Sequence, residues 1–211
     1  MTIFLAQFLT VAIVHLLAVI SPGPDFAIVT RNSIIYSRKT GIYTSIGIAV
    51  GILVHVAYSL LGIGFIIAKS IVLFNIIKFV GAGYLIYIGY KSLRAKPSTQ
   101  TETDVSAVKK DISPSSSFKI GFLTNALNPK ATLFFLALFT QIIDPATPKT
   151  IQLVYGIEMM LITFVWFALV SLFFSNSHIR SRIGKVQHHV ERVTGAVLIA
   201  LGIKVALASH K

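Results

Sequence analysis

No charged residue occurs between Lys39 and Lys69, and residues 42–68 within that interval are almost wholly apolar. A helix rises ~1.5 Å per residue, so about 20 such residues cross the hydrocarbon core of a bilayer. Five further stretches meet or approach that length: residues 4–35, 71–93, 118–143, 151–174 and 190–208. With 12% charged residues and a mean hydropathy of +0.79 over 211 residues, a soluble core could not hide the apolar surface. The expected fold is an all-α integral membrane protein with six transmembrane helices. The third and sixth stretches are the shortest, with charge-free centres at 79–90 and 193–203. Lys78, Lys91 and Lys204 lie close enough to snorkel to the headgroups, so five spans remain an alternative.

The net charge of +12 would suggest a nucleic-acid partner in a soluble chain. Here the basic residues fall in the gaps between apolar runs, where they act as topology signals, and no nucleic acid is expected. Arg31, Arg38, Lys39, the basic residues around the central linker, and Arg180, Arg182, Lys185 and Arg192 outnumber Lys69, Lys78, Lys149, Lys204 and Lys211 on the opposite side. That bias places both termini outside. No basic residue precedes the first apolar run, so that run is read as a retained span and not as a cleaved signal. The chain has no cysteine, which excludes disulfides and thiolate metal sites.

Residues 95–117 are rich in serine and threonine and poor in apolar side chains, as expected of a polar cytoplasmic linker. They separate a first three-helix repeat, 1–94, from a second, 118–211. Leu85-Ile86-x-x-Gly89-x-Lys91 in the third stretch matches Leu198-Ile199-x-x-Gly202-x-Lys204 in the sixth. The first and fourth stretches are each broken by proline. A three-span unit repeated in tandem is inserted upside down the second time, the inverted repeat of many secondary transporters.

The breaks carry the chemistry. Ser21-Pro22-Gly23-Pro24-Asp25 removes two backbone donors, so the helix must open there. Open backbone is tolerated in a membrane only where protein buries it or water reaches it. The second half-helix is expected to start with Ser21 as cap and Pro22 in its first turn, its N–H groups facing a cavity suited to a carboxylate. Asn128-Pro129-Lys130 repeats the arrangement with Asn128 as cap. Asp25 and Lys130 are charges beside the two breaks, and each needs a partner or water. They either face one another as a structural pair or together hold a zwitterion, Asp25 taking an ammonium group or a proton. Ordinary proline kinks are the plainer alternative. Glu158 is a second candidate for proton coupling, or an interfacial carboxylate. His15 and His55 read as hydrogen-bonded packing residues, and Asn125 and Thr124 as cavity-lining or helix-packing groups. Gly47-x-x-x-Gly51 marks a close helix contact. No metal, nucleophile or phosphate-loop pattern occurs, so neither an enzyme nor a bound cofactor is expected.

These motifs resemble the LysE/RhtB family of amino-acid exporters. The matching residues are Ser21-Pro22-Gly23-Pro24-Asp25, the glycines Gly41, Gly47 and Gly51, and Asn128-Pro129-Lys130-Ala131. The stretch from Phe8-Leu9-Thr10-Val11-Ala12 to Pro24-Asp25-Phe26 is similar to the threonine and homoserine exporters. The resemblance implies efflux of an amino acid across the bacterial inner membrane by proton antiport. With only Asp25 and Glu158 as acids in the spans, a small neutral substrate is expected over a basic one. An integral scaffold or membrane enzyme is the alternative, and a homo-oligomer is compatible with either.

Overall fold

The computed structural model describes residues 2–69, 71–94, 111–144 and 146–175, and between 192 and 207 the short stretches 192–193, 195–200, 202–203 and 206–207. Linker residues 95–110, the basic stretch with Arg180, Arg182, Lys185 and His188-His189, and Lys204 lie outside the described residues. Seven helices follow in order: α1 Thr2–Ile20, α2 Pro24–Ile35, α3 Arg38–Lys69, α4 Ile71–Leu93, α5 Pro114–Ala126, α6 Pro129–Gln141 and α7 Lys149–Phe174. Residues 195–200 are also helical, and there is no strand among the described residues.

The first five apolar runs coincide with helices, the two proline-containing runs are split where the sequence places the prolines, and of the sixth run only the short stretches named above are described. α1 and α2 meet at 56°, and α5 and α6 at 55°. By length and composition α3 and α7 can each cross a membrane, and each bent pair supplies one more candidate span. α5 begins at Pro114, inside the stretch read as linker, because Ser113 accepts a hydrogen bond from the Ser116 amide and Pro114 occupies the first helical position.

Burial is inverted relative to a soluble protein. Leu5, Ile13, Leu61 and Val72 are exposed, while Asn32, Thr44, Ser45, His55 and Ser171 are buried. An exposed apolar girdle around a hydrogen-bonded polar interior is the arrangement a bilayer selects. The interior polar groups bind across helices: Asn32 donates to Thr44 Oγ1 at 3.0 Å and Ser33 to Ser171 Oγ at 3.0 Å.

α3 is the central strut, packed on α5, α7, α2 and α6. Its contact with α5 is backbone against backbone. A methyl group on Gly47 would strike the Phe118 carbonyl, and one on Gly121 the Thr44 carbonyl. One turn further along α3, Gly51 leaves room for the Asn125 side chain. The glycine pair read from sequence is therefore a packing face, and it also seats a polar residue of the site below. Gly121→Ala should lower the thermal unfolding midpoint of the purified protein in detergent, by on the order of 1–3 kcal/mol of stability. Gly83, whose added methyl would touch nothing within 4 Å, should tolerate the same change with no measurable shift.

Candidate functional site

A proline cannot donate to the carbonyl four residues before it, so each break creates an orphan acceptor at a fixed place. Pro22 orphans Ala18, and Pro129 orphans Asn125. In a membrane interior such a group costs several kcal/mol unless something donates to it (~2–7 kcal/mol on transfer scales). Both have donors. The Lys130 ammonium donates to the carbonyls of Ala18 (3.1 Å), Ser21 (2.6 Å) and Pro22 (3.4 Å). The Asn125 carbonyl accepts from the Asn128 amide at 2.8 Å and from His55 Nε2 at 2.9 Å. With Nε2 donating, Nδ1 of the neutral His55 ring accepts from the Tyr58 hydroxyl at 2.7 Å.

The starts of the second half-helices are alike in plan and different in detail. α6 has Asn128 at its cap, accepting from the Lys130 amide at 2.9 Å, with Pro129 next, as the sequence implies. α2 departs from expectation. Its cap is Gly23, without a side-chain hydrogen bond, and Pro24 is the first helical proline. Ser21 instead ends α1, its amide donating to the Leu17 carbonyl at 3.2 Å. Two prolines separated by one residue leave only the second able to open a helix, because Pro22 sits where α1 is still closing. Gly23 has extended backbone angles, and its lack of a side chain leaves room for the Lys130 stem, whose Cδ would lie 3.2 Å from an added methyl.

Asp25 and Lys130 thus each occupy the residue after the opening proline. Each binds the other helix's break. Lys130 covers the end of α1, and Asp25 Oδ2 accepts from Asn125 Nδ2 at 2.9 Å and Asn128 Nδ2 at 3.1 Å. Asp25 Oδ1 is buried and makes no hydrogen bond among the described residues. Lysine beside the positive end of α6 is relieved by the negative end of α1, which the sequence alone did not indicate.

The two breaks line a small cavity of about 40 Å³, well below the usual range of ligand pockets (roughly 300–1,000 Å³), so a substrate would have to widen it. Ser21, Gly23, Asp25, Asn125, Asn128 and Lys130 line one part, and His15, Phe134, Phe135, Thr163 and Phe167 line another. Of the residues singled out in the sequence, Thr124 and Glu158 are not in the lining. Pro22, Pro24 and Pro129 shape the breaks without lining the cavity. Glu158 lies on α7 with both carboxylate oxygens buried and no hydrogen bond among the described residues. His15 reads from sequence as a packing residue, and Thr163 carries no sequence signal of its own. The one available signal was position: His15 lies two turns before the first break.

A cavity lined by opposite charges between two broken helices is an arrangement of membrane translocators. The family described as LysE type translocator matches residues 16–209. The chain belongs to that family, and is a multi-pass membrane translocator and not an enzyme. It is 31% identical over 206 residues to the threonine efflux protein of Escherichia coli, covering 97% of this chain and 99% of that one. The uncharacterized membrane protein YrhP of Bacillus subtilis is 32% identical over 197 residues, 90% of this chain and 93% of its own. The leucine efflux protein of Salmonella choleraesuis is 36% identical over 134 residues, 63% of this chain and 61% of its own. No solved structure matches.

Removing a capping donor should destabilise the breaks. Lys130→Met is expected to lower the unfolding midpoint in detergent by the equivalent of ~1–3 kcal/mol for each carbonyl left without a donor, and Lys130→Arg by less. An unchanged midpoint in Lys130→Met would show that the α1 break does not need this side chain.

Proposed function

We propose that this chain is a secondary transporter that exports a small neutral amino acid, of the threonine or homoserine type, across the bacterial inner membrane in exchange for protons. One observation carries the reading: Asp25 and Lys130 line the same cavity between the two breaks. In this reading Asp25 Oδ1, which has no protein donor, receives the substrate ammonium group. Lys130 and the first amides of α6 receive the carboxylate, which displaces the longest of the three lysine contacts, that to Pro22. Ser21, Pro22, Gly23, Pro24, Asn128 and Pro129 act with them by holding the breaks open. A carboxylate that accepts either an ammonium group or a proton, and not both, makes exchange obligatory. Glu158 is assigned a second proton-coupling role, supported by its buried oxygens and set apart from the cavity.

Relatives named for efflux of threonine and of leucine support a neutral substrate. So does the lining, in which Asp25 is the single acid and a basic side chain would have no second carboxylate. Helical spans favour the inner membrane over the outer, where closed barrels prevail.

We also propose six spans in two inverted repeats, the first within 1–94 and the second running from α5 to 211, joined by a cytoplasmic linker that ends where α5 begins. The support is reciprocal. A methyl on Gly89 would meet the Gly195 carbonyl and Ile199, and one on Gly202 would meet the Ala82 carbonyl and Ile86. Gly89 and Gly202, and Ile86 and Ile199, are the positions that the sequence match pairs, so the contacts exchange as a two-fold axis requires.

In proteoliposomes loaded with threonine, wild type should take up labelled threonine by counterflow. Asp25→Asn at matched protein level should lose at least about tenfold, the scale of one buried charge contact. Retention of the wild-type rate by Asp25→Asn would remove the proposed ammonium site. Because the native chain has no cysteine, orientation can be read from single-cysteine variants. In intact cells a membrane-impermeant maleimide should label Ala146→Cys and spare Ser115→Cys, and the opposite pattern would invert the topology.

A further inference from the structure

Helix α1 carries a histidine whose surroundings differ from those of His55. His55 has both ring nitrogens hydrogen-bonded and serves the α5–α6 break. His15 is equally buried, at 1% exposed, yet its Nδ1 has no hydrogen-bond partner among the described residues. Its Nε2 lies 3.4 Å from Thr163 Oγ1, the outer limit of a hydrogen bond. Phe134 and Phe135 pack on the ring at centroid distances of 6.0 Å each, tilted and edge-on, and fix its plane. A buried polar group left this poorly satisfied is costly, and native interiors rarely keep one without a use.

The ring lines the same cavity as Asp25 and Lys130. His15 precedes Ala18 by three residues, so it stands ~4.5 Å along the α1 axis from the carbonyl that holds the Lys130 ammonium. An α-amino acid bound by its carboxylate at Lys130 carries a side-chain oxygen three (threonine) or four (homoserine) bonds of ~1.5 Å beyond its carboxylate carbon, a reach comparable with the rise to His15. Thr163, facing His15 from α7, completes a polar pair in a surround that is otherwise phenylalanine.

We infer that His15 and Thr163 form a specificity subsite that reads a hydroxyl on the substrate side chain. This deepens the proposed amino-acid export and rests on it. A hydroxyl that reaches His15 Nδ1 pairs with the nitrogen left without a partner among the described residues, while Nε2 keeps its 3.4 Å contact to Thr163 Oγ1 and so sets the ring's tautomer. An aliphatic side chain of the same size would instead leave Nδ1 sealed off unpaired. The site therefore prefers threonine over valine, in which a methyl replaces the hydroxyl, although the two fill the same volume.

Counterflow of labelled threonine and labelled valine, measured in parallel on the purified protein in proteoliposomes, tests this. Wild type should favour threonine. In His15→Leu the threonine-to-valine rate ratio should fall by about tenfold or more, the scale of one unmade buried hydrogen bond. His15→Gln, which keeps an N–H donor, should recover part of it. Thr163→Val, nearly isosteric, is judged by the same ratio and should lower it severalfold. A purely structural His15–Thr163 contact predicts that both rates fall together with protein stability, leaving the ratio unchanged. That outcome, or a wild type indifferent between the two amino acids, would overturn the subsite. Failure of wild type to exchange any neutral amino acid would instead overturn the export reading beneath it.

Discussion

Two carbonyl oxygens, those of Ala18 and Asn125, are the constraint around which this molecule is arranged. Prolines four residues later deny them their helical donors, and hydrocarbon offers no water in exchange. The structure answers each with a side chain from elsewhere: Lys130 for the first and His55 for the second. A break that would be a defect in an isolated helix thus becomes a junction. It stays open only while helices distant in sequence remain docked on it.

Much of the remaining architecture follows from that requirement. For His55 to reach Asn125, α3 must lie directly on α5, and Gly47 and Gly121 allow the two backbones to touch. For Lys130 to reach the end of α1, its stem must pass over residue 23, where any side chain would crowd it. Asp25 in turn accepts from Asn125 and Asn128, so the charge at each half-helix start is anchored in the opposite half of the chain. Opposite charges and two helix ends are held near one another without filling the space between them. The zwitterion site proposed above would differ little from what is needed to stabilise the breaks.

The two histidines illustrate how little residue type says by itself. Both sit in apolar helices, both are buried, and neither is part of a motif. His55 faces an orphan carbonyl and is consumed by it. His15 faces a cavity wall of phenylalanine and one threonine, and its polar edge is left over. The difference arises from which helix each one meets, and no local pattern encodes that.

The sequence by itself determined the helices, their breaks and their chemistry. Apolar length set the positions of α3, α4 and α7, and Pro24 and Pro129 set the starts of α2 and α6, since periodicity and missing donors are local properties. Asp25, Asn128 and Lys130 were legible as site residues because charge and broken backbone in hydrocarbon are conspicuous. Tertiary structure decided what those residues bind. Gly23 takes the cap of α2 because Pro24 opens the helix, but only the folded chain brings the Lys130 stem across it; Lys130 turns to the α1 carbonyls because they end a dipole that the sequence cannot place in space. His15 and Thr163 are 148 positions apart, and their meeting depends on α1 lying against α7. Contacts between distant helices are decided by how whole surfaces fit, which no single stretch of sequence contains.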